Sequence, residues 1–212
     1  MPGNPITLTD PVMMRALAHP ARIAIWTHLA LHGPATATEC ADVAGLSPSA
    51  CSYHLRTLAR YGIAEEDLAS AADGRQRPWR VRAVSYTIDT SSSAPAATRL
   101  AGQMLAESLR ADMEETRARY LNRQSEYPDD WQHALGDSQD VAHVTPEELQ
   151  ELSHEIGEVL NRYRRLDPAE RPEGTLPVRI WLDRYPWFGP EEAQCPEEAQ
   201  CPEEAQCPEE AP

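Results

Sequence analysis

Two short helices joined by a turn are predicted by residues 36–62, TATECADVAGLSPSACSYHLRTLARYG. A capping box begins the first helix, because the Thr36 hydroxyl can accept from the amide of Glu39 while the Glu39 carboxylate reaches back to the amide of Thr36. Gly45 ends this helix, since glycine adopts the left-handed conformation without a steric penalty. Ser47 is the N-cap of the second helix. The stretch therefore predicts a helix-turn-helix unit.

The second helix has two chemically different faces. Its apolar stripe recurs at spacings of four and three residues, at Cys51, Leu55 and Leu58. The opposite face carries hydroxyl and guanidinium groups, on Ser49, Ser52, Tyr53, Arg56 and Arg60. Small hydroxyls let a helix approach the bases of a DNA major groove, and arginine pairs with guanine or with phosphate. We therefore interpret the second helix as a DNA recognition helix.

A two-stranded wing is predicted after the recognition helix. Residues 63–66 and 78–82 have strand character, and the glycine-containing segment 72–75 predicts the turn between them. Arginines at the tip of such a wing reach phosphates or the minor groove. The predicted DNA-binding residues of the helix and the wing are Ser47, Ser49, Ser52, Tyr53, His54, Arg56, Arg60, Arg75 and Arg77.

Two segments of this region resemble the winged helix-turn-helix of ArsR/SmtB-type transcriptional regulators: residues 16–23, ALAHPARI, and residues 47–56, SPSACSYHLR. The resemblance extends over about residues 11–88. It implies a homodimeric repressor that binds a palindromic operator in double-stranded DNA and leaves it when an effector, such as a small molecule, binds. The metal-sensing members of the family carry a Cys-x-Cys pair at positions that here hold Thr36 and Thr38. We therefore predict no metal site and no other cofactor.

Charge is distributed unevenly along the 212 residues, whose formal net charge is -15. Residues 1–90 hold eight arginines and eight acidic residues, and residues 91–189 hold eleven arginines and eighteen acidic residues. Residues 190–212 hold eight glutamates and no basic residue. The neutral first part is compatible with DNA binding when its arginines share one face.

Several other classes of protein are disfavoured by the sequence. It contains no phosphate-binding glycine loop, no Gly-x-Ser-x-Gly motif and no His-Glu-x-x-His motif, so we do not expect an enzyme. No apolar run approaches the ~20 residues of a membrane span, and the N-terminus lacks the pattern of a signal peptide. We therefore expect a cytoplasmic protein that has no membrane partner.

The winged helix-turn-helix domain is predicted to span residues 10–90, after a loose leader over residues 1–9. Asp10 is the predicted N-cap of the first scaffold helix, with Pro11 in its first position, and Pro20 begins a second scaffold helix. These two helices are expected to support the helix-turn-helix unit from behind. Residues 85–88 are predicted to extend the wing.

A long amphipathic helix is predicted over residues 96–123. Its length and its one-sided apolar stripe favour packing against the same helix of a second protomer. The alternative is a helix that covers the second half of the same chain. The residues predicted to form the dimer interface are Leu100, Met104, Leu105 and Leu109.

A small α/β subdomain is predicted to complete a second domain over residues 96–188. Residues 137–144 and 176–182 are its predicted strands, and Thr145 caps the helix between them. The predicted buried stripe of that helix is Leu149, Leu152, Ile156, Leu160 and Tyr163. Four aromatic residues either line an effector pocket or form the subdomain core: Trp131, Trp181, Tyr185 and Trp187. The predicted fold class is mainly α (α+β), with a winged helix-turn-helix followed by the long helix and this subdomain.

The tail over residues 190–212 repeats Pro-Glu-Glu-Ala-Gln-Cys three times. Because it has no apolar bulk and one sign of charge, we predict an acidic, disordered tail. Its three cysteines allow a metal-binding tail as an alternative, and Cys40 with Cys51 allows a redox switch. The predicted function is therefore a DNA-binding transcriptional regulator. The alternatives are a winged-helix module that binds protein and a sensor of metals or thiols.

Overall fold

The computed structural model describes residues 6–68, 77–88, 91–164 and 170–187. In chain order its elements are β1 (Ile6–Leu8), α1 (Pro11–Leu17), α2 (Pro20–His32), α3 (Ala37–Ala44), α4 (Pro48–Arg60), β2 (Ala64–Glu66), β3 (Trp79–Val81), β4 (Tyr86–Ile88), α5 (Ala96–Arg123), α6 (Asp129–Ala134) and α7 (Pro146–Tyr163). A short 3-10 turn at Gln124–Glu126 precedes α6. The mainly helical fold class, with a winged helix-turn-helix before a long helix, is confirmed. The predicted wing turn at 72–75 and the predicted tail at 190–212 lie outside the described residues.

Side-chain caps begin each of the first four helices. Asp10 caps α1 by accepting from the amide two residues further on, at 2.8 Å. The capping box of α3 is complete, because the Thr36 amide donates to Glu39 Oε2 at 2.7 Å and the Glu39 amide donates to Thr36 Oγ1 at 3.3 Å. Gly45 ends α3 with a φ of 64°. These predictions are confirmed, whereas the cap of α2 was not predicted: it is His19, whose Nδ1 accepts an amide at 3.1 Å.

The helix-turn-helix unit is built on a core shared by α2, α3 and α4. Its buried members are Ile23, Ile25, Leu29, Cys40, Ala41, Cys51, Leu55 and Leu58. The wing joins this core through Trp79, which is 8% exposed. Trp79 exchanges two backbone hydrogen bonds with Ala35, at 2.7 and 3.0 Å. The antiparallel pair of β2 and β3 is thus fixed to the segment that leads into α3.

The start of the chain is more ordered than predicted. Ile6–Leu8 forms β1, which runs parallel to β4, with Thr7 opposite Thr87. The prediction of a loose leader over residues 1–9 is therefore wrong for residues 6–8. Residues 86–88 pair with β1, so the prediction that they extend the wing is also wrong. Burial of Leu8, which is 4% exposed, gives this short pairing an apolar anchor.

The long helix α5 is confirmed at 28 residues, Ala96–Arg123. Its N-terminal half packs along α1. Two hydrogen bonds help to hold it there: Thr98 donates to the carbonyl of Thr9 at 3.3 Å, and Ser108 donates to the carbonyl of Ala18 at 3.1 Å. The buried residues on this face are Thr98, Ala101, Gly102, Leu105 and Leu109.

The four residues predicted to contact a second protomer fall on different surfaces of α5. Leu105 and Leu109 are 0% and 2% exposed within a single chain, whereas Leu100 and Met104 are 60% and 45% exposed. The prediction is therefore wrong for Leu105 and Leu109, because their apolar surface is already covered by intrachain packing. Leu100 and Met104 are left as the accessible pair.

The C-terminal part differs most from its prediction. The described segments 137–144 and 176–182 contain no strand, so the predicted α/β subdomain is not formed among the described residues. Neither α6 nor α7 contains a buried residue, which means that the predicted buried stripe of α7 is wrong. Trp187 and Tyr185 are 80% and 69% exposed. Period-two alternation fails to make a strand at 176–182 because a strand also needs a pairing partner for its backbone groups.

Chain contacts divide the molecule into two units, residues 1–177 and residues 178–212. In the second unit the described residues are 178–187, and they form neither helix nor strand. Among the described residues no helix is both long enough and apolar enough to cross a membrane.

Candidate nucleic-acid interface

The recognition helix α4 separates its two faces as the sequence predicted. Cys51, Leu55 and Leu58 are each 0% exposed, which anchors one face in the core. Tyr53, on the other face, is 64% exposed. The further exposed residues of α4 among the predicted contacts are Ser49, Arg56 and Arg60, and the N-cap Ser47 is also exposed. Burial of one face fixes the rotation of α4, so this polar face must point towards solvent.

Hydrogen bonds hold several polar side chains close to the backbone of α4. The Ser52 hydroxyl donates to the carbonyl of Pro48 at 2.9 Å, and Arg56 Nε donates to the carbonyl of Ser52 at 3.1 Å. The hydroxyls of Ser47 and Ser49 lie 3.1 Å apart. An arginine has five N–H donors, so this bond engages one donor of Arg56 and leaves the terminal guanidinium nitrogens for other partners.

A concave surface, which we call the α3–wing groove, lies between the start of α3, the polar face of α4 and the wing. Its volume is about 830 Å³. It is lined by Thr36, Ala37, Thr38, Glu39, Ser52, Arg56, Glu66, Arg77 and Trp79. The groove brings together three of the predicted DNA-binding residues from two elements that are distant in sequence: Ser52, Arg56 and Arg77. The α3 residues of the groove were not predicted as contacts; a helix N-terminus is the signal that points to them.

Carboxylates oppose the arginines of the groove and the wing. Arg77 forms a 3.4 Å ion pair with Glu66, and its side chain is 70% exposed. On the same wing Glu65 pairs with Arg80 at 2.6 Å and with Arg82 at 3.6 Å. Exposed ion pairs of this kind contribute about 0–1 kcal/mol, so a competing phosphate can displace the carboxylate from an arginine. The predicted contact Arg75 lies outside the described residues.

His54 lies away from the groove, although it belongs to α4. Its ring is 4.8 Å from the ring of His19 and 5.5 Å from that of Tyr53. Burial lowers the pKa of His54, and the neighbouring charges of His19 and Arg22 lower it further. Its Nδ1 atom is buried and, among the described residues, has no hydrogen-bond partner. These contacts give His54 a packing role between α4 and the start of α2.

Cys40 and Cys51 meet in the core between α3 and α4, where both are 0% exposed. Burial raises the pKa of the Cys40 thiol to about 12, and the neighbouring Cys51 and Glu39 raise it further in the same direction. Burial also raises the pKa of Cys51. Both groups are therefore thiols at neutral pH, and a thiol is a much weaker nucleophile and metal ligand than a thiolate.

The comparison with known protein families matches residues 17–67 to a helix-turn-helix domain. The matched range contains α2, α3, α4 and β2. No curated protein matches the chain. The match and the geometry of α3 and α4 show that residues 17–67 form a helix-turn-helix domain, and this domain supports a role as a DNA-binding regulator.

Proposed function

We propose that this protein is a homodimeric transcriptional repressor of the ArsR/SmtB type, which binds a palindromic operator in double-stranded DNA and leaves it when an effector binds. The observation that carries the proposal is the α3–wing groove. In this groove the hydroxyl and guanidinium groups of α4 converge with an arginine of the wing. Such a surface supplies donors for bases and donors for phosphates side by side, which is what DNA recognition requires.

We assign recognition of the DNA base sequence to the polar face of α4. In this proposal α4 enters the major groove, where its small hydroxyls at Ser49 and Ser52 allow close approach to the bases. Arg56 pairs with a guanine through its terminal nitrogens, and a contact of that kind contributes about 1–3 kcal/mol of discrimination. Tyr53 and Arg60 lie on the same exposed face and extend the contact along the helix.

Backbone binding is assigned to the wing. Arg77 is released from Glu66 when a phosphate approaches, because a 70% exposed ion pair is weak. Glu39 and Glu66 also line the groove and repel phosphates that arrive in other orientations. We therefore expect low nonspecific affinity, and Arg75 remains a predicted second contact at the tip.

Dimerisation is assigned to the exposed apolar residues of α5, Leu100 and Met104. Two recognition helices held about 34 Å apart engage two half-sites one helical turn from each other. The second contact is then effectively intramolecular, which raises the affinity without any new contact. Release by an effector follows from the family resemblance. The buried, protonated state of Cys40 and Cys51 disfavours a thiol or metal signal at those two positions.

The proposal is tested by the salt dependence of DNA binding. A duplex selected by the protein from a random-sequence pool is titrated by fluorescence anisotropy between roughly 50 and 200 mM salt. A DNA-binding protein loses affinity linearly on logarithmic axes, and Arg77→Ala lowers the slope by about one if Arg77 neutralises one phosphate. The matched control is Arg119→Ala, an exposed arginine of α5 that is paired with Glu115.

Three outcomes would contradict the proposal. A wild-type affinity that does not depend on salt, or a failure to select any duplex, would favour a winged-helix module that binds protein. Equal slopes for wild type, Arg77→Ala and Arg119→Ala would remove the wing from the interface.

A further inference from the structure

The helix α7 is well formed but is not buried by the described chain. It has a complete capping box, in which the Thr145 amide donates to Glu148 Oε2 at 2.7 Å and the Glu148 amide donates to Thr145 Oγ1 at 3.2 Å. Pro146 occupies the first helical position. None of its 18 residues is buried. In proteins most of the stability of a helix comes from packing of its apolar face, so we expect α7 to need a partner for that face.

Five of the six large apolar residues of α7 follow a heptad repeat, at alternating spacings of three and four residues: Leu149, Leu152, Ile156, Val159 and Tyr163. The sixth, Leu160, follows Val159 directly and widens the apolar face at that end. Leu152 is 38% exposed and Val159 is 42% exposed. A 3.5-residue repeat keeps a narrow seam facing one other helix along its whole length, whereas packing on a broad core favours the wider 3.6-residue stripe. The repeat therefore points to a helix as the partner of α7.

Charge favours one orientation of a second α7 against the first. The first part of α7 is acidic, at Glu147, Glu148, Glu151, Glu155 and Glu158, and its end is basic, at Arg162 and Arg164. When a second α7 lies antiparallel, the acidic start of each helix faces the basic end of the other. The two-fold symmetry produces this contact twice. A parallel pair would set the acidic starts side by side. We propose that α7 pairs antiparallel with α7 of a second copy of this chain.

The heptad fixes the register of this pair. Leu152 packs against the partner's Ile156, and Leu149 packs against the partner's Val159. The two-fold axis then passes beside residue 154. In this register Arg162 lies beside the partner's Glu148 on both sides of the axis, and Glu155 lies beside the partner's Glu155. Thus Arg162 stabilises the pair and Glu155 destabilises it.

Orientation is tested by distances between spin labels on the full-length, DNA-free protein. Cys195, Cys201 and Cys207 are replaced by serine, and the buried Cys40 and Cys51 are retained because neither is accessible to the label. Glu147→Cys and His154→Cys each carry one label, at outward positions one heptad apart. In an antiparallel pair the labels at position 147 gain an axial offset of about 20 Å, whereas labels at position 154 lie beside the axis. We expect a clearly longer interspin distance at 147 than at 154.

The seam itself is tested by one double variant and one single-substitution control. Leu152→Glu with Ile156→Glu places charges in the seam, and we expect the short distance at position 154 to disappear. The control, Gln150→Glu with the label at position 154, adds charge on the outer face and leaves that distance in place. Single variants sharpen the register: Arg162→Gln raises the dissociation constant, Glu155→Gln lowers it, and both effects shrink at high salt.

Several results would overturn the proposal. Equal distances at 147 and 154 would show a parallel pair. A signal with no short distance at 154 would show that α7 is covered by something other than its own copy, or by nothing. Because all measurements are made without DNA, the α7 pair can fail while the salt titration still supports DNA binding, and the reverse also holds.

Discussion

Helices α4 and α7 begin in the same way but lie in different surroundings. Each has a hydroxyl N-cap followed by proline, Ser47 with Pro48 in one case and Thr145 with Pro146 in the other. The apolar stripe of α4 is 0% exposed at every position, whereas α7 has no buried residue. A capped amphipathic sequence therefore decides where a helix begins and which face is apolar. It does not decide what covers that face.

The largest expected effect compares one leucine from each stripe. Leu55→Ala leaves a cavity in the helix-turn-helix core and should lower the free energy of unfolding by about 2–5 kcal/mol. Leu152→Ala should change the stability of the same unit by less than about 0.5 kcal/mol, because Leu152 lies outside this core. Hydrogen exchange of amides in α2–α4 measures how much each variant changes the free energy of unfolding of the helix-turn-helix unit. Similar losses for the two variants would show that α7 is part of the core.

The next effect concerns the exposed apolar pair of α5. Leu100→Glu with Met104→Glu should break the α5 contact of the proposed dimer without unfolding the chain, because both side chains are exposed in a single protomer. The two recognition helices then lose their fixed spacing even if the α7 pair remains. Affinity for a palindromic duplex should fall at least tenfold, about 1.4 kcal/mol, while affinity for an isolated half-site stays the same. Gln103→Glu, also exposed on α5, is the control. Unchanged affinity for the palindrome would place the dimer interface elsewhere.

A smaller effect separates the two capping boxes. Thr36→Ala removes the acceptor for the Glu39 amide and should destabilise the helix-turn-helix unit by about 1 kcal/mol. Thr145→Ala removes the same bond from α7, and its cost should appear as faster hydrogen exchange within α7 alone. Thermal unfolding, monitored by hydrogen exchange of individual amides, distinguishes the effects of Thr36→Ala and Thr145→Ala. If Thr145→Ala destabilised α2–α4 as strongly as Thr36→Ala, the two helices would be energetically coupled.

The smallest effect is a dependence of stability on pH. Burial lowers the pKa of both His19 and His54 in the folded protein, so the unfolded chain binds more protons at mildly acidic pH. Stability should therefore be full above the ordinary histidine pKa of about 6.5 and fall as the pH drops below it. Protonation also removes the Nδ1 acceptor with which His19 caps α2.

The variant His19→Asn with His54→Gln should flatten this dependence, because asparagine keeps a capping acceptor and neither new side chain titrates. The melting temperature between pH 7 and pH 5 is the measurement, with His143→Gln, an exposed residue, as the control. A slope that persists unchanged in the double variant would assign the pH dependence to other groups. His28, whose pKa is also lowered by burial, would be the next candidate.

Local signals made much of the helix-turn-helix predictable. The capping box at Thr36, the stop at Gly45 and the buried stripe of α4 each depend on residues within one or two turns of each other. The length of α5 was also predictable from its periodicity. These features were therefore recovered from the sequence, together with the face of α4 that carries Arg56.

Features set by contacts between distant segments were not predictable. The pairing of residues 6–8 with 86–88 involves two three-residue strands with weak local signals. From the sequence, Leu105 looked available to a second protomer. Its position on the stripe shows that it is apolar, but the stripe does not show that α1 covers it. The α3–wing groove also depends on Arg77 and Arg56 lining the same concave surface, which no local pattern encodes.

If α4 reads a palindromic DNA sequence, the base preference of the protein depends on Arg56, and parallel selection from a random duplex pool measures that preference. Wild type and Arg56→Ala are each used to enrich duplexes, and the two sets of sequences are compared. We expect wild type to enrich two inverted half-sites one helical turn apart, and Arg56→Ala to lose preference at the same base pair in each half-site. If wild type enriches no sequence, or if both proteins enrich the same sequence with the same preference, α4 does not read DNA through Arg56.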